Sequence, residues 1–460
     1  MTFFLVYAAL LLGMGLLEAL RESRAKSGRD AFFVNSRASG PWQVGISIIA
    51  SCVGGSATLG MAGLAWQAGT PAFWWLGGGA CGLFVLTLFL AKKVRESGAH
   101  TMPEMVDAFL GRESTASLPR PILSPRRLVA AVIVPAWLAI LAAQFTAMGR
   151  LTSSLTGLAP ETALIAGAGL IVLYALLGGQ AAVIRSDVPQ FAMLLAGLAT
   201  ACAFLLFREP PALRTVPLEL VNESFPPARL GYFMAVIGGS YVVCPMLFGR
   251  ILSARDTRSA VTGCRIGVAG LLLCAVLITA IGLACRGFVP PDCAPDAVLT
   301  SALERMPAWA SLVLLLALLS AVLSSADSCL ITASTVLCND LLPPRARGGV
   351  GLCRAATLLL GLAACMLAAR GHGILDLLLM ANDIYVSGVV APVFCGMLLP
   401  AGRRPAPGIS VLAVACGGVL GLSAAITGNP VFGYWGMGIS GLLVLTGALR
   451  RNSPLIAGEL

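Results

Sequence analysis

Hydroxyl and carboxylate side chains within a strongly apolar stretch are the residues of this sequence best suited to chemistry. In SAVLSSADSCLITAS (320–334), Ser324 and Ser325 are adjacent, and Asp327 and Ser328 follow three and four residues after Ser324. On a helix this spacing places Ser324, Asp327 and Ser328 on one face. Oxygen ligands suit a hard cation, and ionisable groups in apolar spans are costly and usually functional. These residues are therefore candidates for a cation or proton site; the alternative is that the two serine hydroxyls bond to carbonyls of the preceding helical turn.

Two glycine pairs interrupt other apolar stretches of the chain. The first pair is Gly54-Gly55, and the second is Gly238-Gly239, which Pro245 follows. Each glycine weakens a helix by roughly 1 kcal/mol relative to alanine, and unwound backbone inside a membrane is tolerated where it lines a cavity or is buried in protein. We therefore predict two broken helices whose freed backbone groups bind an ion and a solute. The alternative is that the glycine pairs only allow close helix packing.

The composition decides which class of protein must position these residues. Hydrophobic residues make up 58% of the chain and charged residues 11%, and the mean hydropathy is +0.89. These values exclude a water-soluble domain and indicate a polytopic membrane protein. The 14 cysteines fall mostly in apolar runs, where cysteine packs as a small hydrophobe, and with only 2 histidines a histidine-ligated zinc site is not expected.

Thirteen apolar runs have the roughly 20 residues that a membrane span needs. They are centred near residues 11, 54, 81, 137, 168, 195, 241, 275, 322, 360, 386, 417 and 440. With the N-terminus outside, most of the 31 Lys and Arg residues fall on the cytoplasmic side, as the positive-inside rule requires. We predict a multi-pass protein of the plasma membrane, which is the inner membrane in bacteria, with a cytoplasmic C-terminus. The net charge of +10 then reflects topology, so no nucleic-acid partner is expected.

The two glycine pairs head two groups of five spans, spans 2 to 6 and spans 7 to 11. Because five is odd, the groups enter the membrane from opposite sides, which is the pattern of an inverted-topology repeat with a broken first helix in each half. We predict one all-α transmembrane domain over 1–460, with repeats at 41–207 and 230–400. An accessory first span (1–22) and two accessory C-terminal spans (406–450) complete it.

One known family, the sodium:solute symporters, has motifs similar to four stretches of this sequence. The stretches are ASCVGGSATLGMAG (50–63), YALLGGQAAVIRSDVPQ (174–190), FGRILSARD (248–256) and SAVLSSADSCLITAS (320–334). Together with the span count, the resemblance covers nearly the whole chain. It implies a LeuT-type fold and the transport of a sugar, amino acid, carboxylate, vitamin, choline or iodide.

The resemblance also implies two ion sites. The sodium site shared in the family corresponds here to the backbone carbonyls of Ala50, Val53 and Ala321 with the hydroxyls of Ser324 and Ser325. A second cation or proton site, present in some members, corresponds to a set of polar residues from two spans: Asp187, Ser324, Asp327 and Ser328. In the family a hydroxyl would be the simpler ligand at position 327, so the occupant of this second site stays open. An alternative for Asp187 is a salt bridge with Arg185 or with a cytoplasmic arginine.

In this fold the solute lies between the two broken helices and their neighbours. The candidate contacts are Ser56, Ala57, Thr58, Trp74, Trp75, Gln144, Tyr241, Asn382 and Asp383. Asp383 is a mid-span carboxylate with no Lys or Arg in the same segment, so an ammonium group on the solute could pair with it, helped by cation-π contacts. This reading favours an amino acid or an amine. The alternative is that Asp383 faces water or bonds to a neighbouring helix.

The sequence thus predicts a secondary transporter that couples Na+ entry to uptake of a small organic solute by alternating access. Proton coupling, a transporter-like sensor and a channel are the alternatives. An enzyme is not expected, since neither H-E-x-x-H nor a Walker-type motif occurs. The expected partners are the solute and membrane lipids, with Na+ or a proton as the coupling ion; the oligomeric state is left open.

Overall fold

A computed structural model describes residues 2–24, 33–110, 124–177, 179–208, 219–342, 350–371, 373–400 and 403–450. Across these residues the chain is helical, apart from turns and two isolated β-bridges. The prediction of an all-α polytopic protein is confirmed at this level.

The first half of the chain opens with one helix and continues with a broken one. These helices and those after them are α1 (Thr2–Arg24), α2 (Pro41–Cys52), α3 (Ser56–Ala68), α4 (Thr70–Phe89), α5 (Pro125–Thr156), α6 (Pro160–Leu177) and α7 (Gln180–Arg208). Two short helices, Ala91–Glu96 and Met102–Phe109, lie between α4 and α5.

The second half of the chain follows after a loop. Its helices are α8 (227–242), α9 (Pro245–Ser253), α10 (Thr257–Cys285), α11 (Ala308–Leu341), α12 (Val350–Ala368), α13 (Ile374–Leu398), α14 (Pro407–Thr427) and α15 (Pro430–Arg450). A short helix, Val298–Leu303, precedes α11.

Within the described residues, eleven helices are long and apolar enough to cross a membrane, and the bent pair α2 and α3 raises the number to twelve. The described apolar part of α1 is shorter, Leu5–Leu17. By length and composition the structure thus supports eleven to twelve of the thirteen predicted spans. The remaining predicted span is α1, whose described apolar part is shorter than a full span.

Helix α11 lies at the centre of the molecule and packs against α2, α5 and α7. Helix α10 packs against α2 and α4, and the C-terminal pair α14 and α15 packs on itself and on α13. The central helix is buried on nearly every face over its second half, including its serines and Asp327. A polar site on α11 is therefore enclosed by protein rather than by lipid.

The prediction that Gly238-Gly239 breaks the seventh predicted span is wrong. Both glycines have helical backbone angles, and the helix continues to Val242. Their role is close packing, because a Cβ at Gly82 of α4 would fall on the carbonyl oxygen of Gly238. The interruption lies at Val243 and Cys244, and Pro245 is the first residue of the next helix, a position at which its missing N–H costs no helical hydrogen bond.

Candidate functional site

The first break separates α2 from α3 at Val53 and Gly54, and the two helices meet at 66°. Here the predicted glycines are required. A Cβ at Gly54 would lie 2.5 Å from Gln144 Oε1 and 2.6 Å from Ser325 Cβ, so only glycine lets α5 and α11 approach this closely. The break therefore exposes backbone groups of α2 and α3 directly to polar side chains of two neighbouring helices.

Four of the five predicted sodium ligands meet at the carboxyl end of α2. Ser324 Oγ donates to the carbonyl of Ala50 at 3.0 Å and to that of Ala321 at 3.0 Å, and Ser325 Oγ donates to Ala50 O at 3.1 Å. All four residues are at most 2% exposed. Val53, the fifth, is buried in the break beside them.

This donor set fits a hard cation. It consists of neutral oxygens, two from backbone carbonyls and two from hydroxyls, which is the set that replaces a hydration shell in midplane ion sites. For Na+ to enter, both hydroxyls would turn their protons away and present lone pairs in place of their present bonds. The carbonyl of Ala50 is the shared point, since both serines contact it.

An aromatic residue of α13 hydrogen-bonds to the backbone of the second break. The carbonyl of Val243, which lies in the interruption between α8 and α9, accepts a hydrogen bond of 2.5 Å from the Tyr385 hydroxyl. Tyr385 is fully buried and packs edge-to-face on Trp137 at 4.9 Å between ring centroids. A buried backbone carbonyl that lacks a partner is costly, so Tyr385 stabilises this break.

Between the two breaks lies a small enclosed cavity of about 70 Å³. Its walls come from both broken helices and from α4, α5, α11 and α13. The lining residues are Ser51, Cys52, Ser56, Trp75, Trp137, Ile140, Gln144, Ile237, Ser240, Tyr241, Cys244, Met246, Ser325, Cys329, Leu378 and Asn382. Ser325 is also one of the predicted sodium ligands, so the candidate ion site and the cavity share a wall.

Five of the predicted solute contacts line this cavity: Ser56, Trp75, Gln144, Tyr241 and Asn382. Ala57 and Thr58 do not, and the Thr58 hydroxyl instead donates to the carbonyl of Gly54 at 2.8 Å. Trp74 also lies elsewhere, with its indole N–H on the carbonyl of Leu220 at 2.9 Å. Sequence reasoning missed Trp137, although it stands two turns before Gln144 on the same helix.

Asp383 lies outside the cavity as well. Its Oδ1 accepts a hydrogen bond of 2.9 Å from the hydroxyl of Tyr232 on α8, and Tyr434 of α15 packs on the Tyr232 ring. The carboxylate therefore has a partner from a neighbouring helix, as the alternative interpretation of Asp383 had it. The geometry gives no support to a direct pairing between Asp383 and a solute in this cavity.

On the α9 side of the ion site, a buried arginine joins four helices. Arg250 of α9, which is 1% exposed, donates to Ser51 Oγ at 2.9 Å and to Ser328 Oγ at 2.5 Å, and its Nη2 lies 3.6 Å from Asp187 Oδ2. Asp187 also accepts from the hydroxyl of Ser47. In the sequence Arg250 resembles a basic residue of a cytoplasmic loop, but here it occupies the protein interior.

This cluster contains the residues predicted for a second cation site. Ser328 connects its parts, since its hydroxyl donates to the carbonyl of Ser324 at 2.7 Å and lies 3.4 Å from Asp327 Oδ1. Two carboxylates and one guanidinium leave one negative charge in excess. Asp187 Oδ1 and Asp327 Oδ2 are both buried and have no hydrogen-bond partner in the described part of the chain, so each offers a free oxygen to a further cation or proton.

A larger open cleft of about 870 Å³ lies between α5, α6, α12 and the 298–303 helix. Its charged lining residues are Arg150, Glu161 and Glu304, and Arg150 is paired with Asp296 at 3.4 Å. This cleft touches neither helix break, whereas the enclosed cavity has convergent polar groups and adjoins the ion site. The enclosed cavity is the better candidate for solute binding.

The fold and the site define a polytopic membrane transporter built around two broken helices. More particularly, the chain belongs to the sodium:solute symporter family, whose model matches residues 32–400. This match confirms the resemblance seen in the sequence motifs. The family consists of transporters and not of enzymes.

Relatives with different solutes are similar to this chain. The Sodium/proline symporter of Escherichia coli (strain K12) is 25% identical over 341 residues, which are 69% of this chain and 66% of that protein. The High affinity choline transporter 1 of Homo sapiens is 24% identical over 472 residues, 94% of this chain and 77% of that protein. The chain thus spans 66% of the length of the proline symporter that it matches.

Solved structures show the same fold. A substrate-bound, outward-open Na+-coupled sialic acid symporter aligns with a TM-score of 0.78 at 14% identity, over 97% of this chain and 96% of that one. MhsT in complex with L-phenylalanine aligns with a TM-score of 0.58 at 14% identity, over 90% of this chain and 98% of that one. The architecture is therefore LeuT-like.

Proposed function

We propose that this protein is a symporter that couples entry of Na+ to uptake of a small organic solute by alternating access. The observation that carries the proposal is the shared wall between the two sites: Ser325 both contacts Ala50 O and lines the cavity. An ion bound at Ala50, Val53, Ala321, Ser324 and Ser325 would thereby stabilise the wall against which the solute packs. The solute is an amino acid or an amine.

The topology that supports this function has thirteen spans, counting α1 and the bent pair. Residues 41–207 and 230–400 form two inverted repeats, each headed by a broken helix, with 1–22 and 406–450 as accessory spans. The order of the described helices agrees with such a repeat, although the second break falls at Val243 and Cys244. The N-terminus lies outside the plasma membrane and the C-terminus in the cytoplasm, in keeping with the distribution of Lys and Arg.

A second cation or proton binds between Asp187 and Asp327, with Ser324 and Ser328 beside them. Arg250 supplies one positive charge to this cluster, and the remaining negative charge attracts either a second Na+ or a proton. Asp327→Asn separates these occupants. With a second Na+, the variant lowers the steepness of the Na+ titration of solute binding; with a proton, it removes the pH dependence of solute binding.

The test of the main proposal is thermal stabilisation of the purified protein by a panel of amino acids, amines, carboxylates and sugars in NaCl and in KCl. A ligand at 100 times its Kd stabilises the native state by about 2.7 kcal/mol. We expect one solute class to stabilise only in NaCl, and Ser324→Ala with Ser325→Ala to remove the sodium requirement.

Ser334→Ala is the matched control. Ser334 is buried on the same helix, and its hydroxyl donates to the carbonyl of Leu330, away from the break. This variant should keep the sodium dependence. If the solute stabilises the wild-type protein equally in NaCl and KCl but the stabilisation changes with pH, protons and not Na+ are the coupling ion. If the double serine variant still requires sodium for stabilisation, the proposed ion site is refuted.

A further inference from the structure

An open cleft lies where α5 ends and α6 begins, away from both helix breaks. Its volume is about 870 Å³, and its walls come from α5, α6, α12 and the 298–303 helix. A second cavity of about 510 Å³ adjoins it at the start of α11, since Ser154, Thr300 and Glu304 line both. Each volume is in the range of sites that bind small organic ligands, and the proposed transport function uses neither of them.

The walls of both cavities are apolar where they reach the surface of the protein. Ile165 of α6 and Met366 of α12 line the cleft and are 66% and 69% exposed, and Trp309 of α11, in the second cavity, is 63% exposed. Helices α6, α11 and α12 are long and apolar enough to cross a membrane, so these side chains contact the acyl chains of lipids. A lipid that lies against them could extend its chains into the two cavities.

The polar part of the cleft carries an excess of negative charge. Arg150 of α5 forms an ion pair with Asp296 at 3.4 Å, so its charge is balanced. Glu161, in the first turn of α6, and Glu304, directly after the 298–303 helix, line the cleft and are both exposed. Neither glutamate forms an ion pair within the described part of the chain. Two carboxylates are therefore left without a counterion from these residues.

The cations nearest to these glutamates do not balance them. Arg305 follows Glu304, but its guanidinium lies over the ring of Phe288, 5.9 Å from the centroid. Among the described residues that line the two cavities, Arg150 is the single cation, and no Lys or His occurs. A positively charged ligand group at Glu161 and Glu304 would complete the charge balance, with more effect in a cleft walled by apolar side chains than in open water.

A primary ammonium group suits these two carboxylates better than a quaternary one. It has three N–H donors, as the Lys ammonium does, whereas a trimethylammonium group has none, and hydrogen bonds that involve charged groups are roughly twice as strong as neutral ones. The side chain of Arg150 is 35% exposed and has further N–H donors for a phosphate oxygen. The cleft thus offers one partner for a phosphate and two for an ammonium group, beside apolar walls.

We propose that this cleft is a lipid site that selects an aminophospholipid, of which phosphatidylethanolamine is the simplest. The ammonium group binds at Glu161 and Glu304, the phosphate lies beside Arg150, and the acyl chains pack on the walls that include Ile165 and Met366. The bound lipid connects the 298–303 helix to α5, α6 and α12 and stabilises their packing. This inference goes beyond the proposed function and is independent of the coupling ion and of the solute.

The test compares three lipids with identical acyl chains: phosphatidylethanolamine, phosphatidylcholine and phosphatidylglycerol. Each is titrated into delipidated protein in an uncharged detergent, in KCl and without solute, and the melting temperature is followed. Because exposed ion pairs are individually weak, we expect an apparent affinity for phosphatidylethanolamine about five- to tenfold above that for phosphatidylglycerol, with phosphatidylcholine between them. Native mass spectrometry should show one retained phosphatidylethanolamine per chain.

Charge substitutions locate the site. Glu161→Gln with Glu304→Gln removes both carboxylate charges and should reduce the preference for phosphatidylethanolamine over phosphatidylglycerol to within about twofold. Glu161→Lys with Glu304→Lys should reverse the preference in favour of phosphatidylglycerol. Both positions are exposed, so these variants should fold. Glu223→Gln is the matched control, because Glu223 is an exposed glutamate that lines neither cavity, and this variant should keep the wild-type preference.

Three results would overturn the proposal. Equal stabilisation by the three lipids would show that the cleft does not distinguish headgroups, and a preference that survives in both double variants would place the lipid elsewhere. A lipid-free dimer in native mass spectrometry that the double Lys variant dissociates would assign the cleft to a second copy of the chain. Because every measurement is made without Na+ and without solute, these results leave the symporter proposal intact, and failure of the symporter proposal leaves the lipid test valid.

Discussion

Replacement of Arg250 by methionine tests whether the charge cluster is organised as the structure indicates. The substitution keeps an apolar stem of similar length but removes a guanidinium that bonds to Ser51 and Ser328 and lies 3.6 Å from Asp187. Asp187 and Asp327, which are 0% exposed, then share the site without a positive charge. Removing one partner of a buried ion pair costs about 3–5 kcal/mol, because the other charge is left uncompensated.

The apparent melting temperature of the purified protein is the measured quantity. With about 2 °C per kcal/mol for a chain of this size, Arg250→Met should lower it by roughly 6–10 °C. The comparison is made at one scan rate, since large proteins often unfold irreversibly.

A second substitution shows whether charge is the cause. Asp187→Asn in the Arg250→Met background returns the cluster to one excess negative charge, so the double variant should melt above Arg250→Met although it has lost two charged groups. Asp187→Asn alone leaves Arg250 and Asp327 as a neutral set and should be mild. The reasoning is refuted if Arg250→Met melts within about 2 °C of the wild type, or if the double variant is no more stable than Arg250→Met.

Two further predictions concern packing and the solute. Gly82→Ala places a Cβ on the carbonyl of Gly238 and should destabilise the protein by about 1–3 kcal/mol. Gly169 is a helical glycine with open space around it, so Gly169→Ala should have the melting temperature of the wild type. Equal melting temperatures of the two variants would contradict the close contact of α4 and α8. Asp383→Asn keeps an acceptor for Tyr232 and should leave the Kd for a cationic solute within about threefold in the melting assay, while a loss beyond tenfold would return Asp383 to the solute site.

The two breaks show how far sequence alone could lead. The helices could be predicted because the length of an apolar run suffices to identify a span. The first break could be predicted because Gly54 and Gly55 are poor helix formers. The second break could not be placed correctly. Glycine pairs serve both unwinding and close packing, and only the structure shows that Gly238 contacts α4 and that the helix is interrupted just before Pro245.

The site was predictable in part for a similar reason. Ser324 and Ser325 are recognisable in the sequence because their hydroxyls lie in an apolar helix. Their acceptor is the backbone carbonyl of Ala50, which any residue at that position would supply, so the residue type gives no signal. Arg250 was missed because the positive-inside rule assigns a basic residue after an apolar run to a loop. The signal was present in the two buried aspartates, which require a cation, and in the place of Arg250 within FGRILSARD (248–256).

The backbone groups at the two breaks explain how the candidate ion site can be stable when empty and still bind a cation. Each break leaves backbone groups that the membrane interior cannot satisfy, and three of them contact side chains: Ala50 O accepts from the two serines, Gly55 N–H donates to Gln144, and Val243 O accepts from Tyr385. The serines differ from the other two partners because a hydroxyl both donates and accepts. A cation bound there would replace the two serine protons at Ala50 O and would itself be bound by the serine oxygens, so Ala50 O would keep a partner. In the proposed transport cycle, Ala50 O would thus be paired whether the candidate ion site is filled or empty, while Gln144 and Tyr385 bond to the backbone of the two breaks.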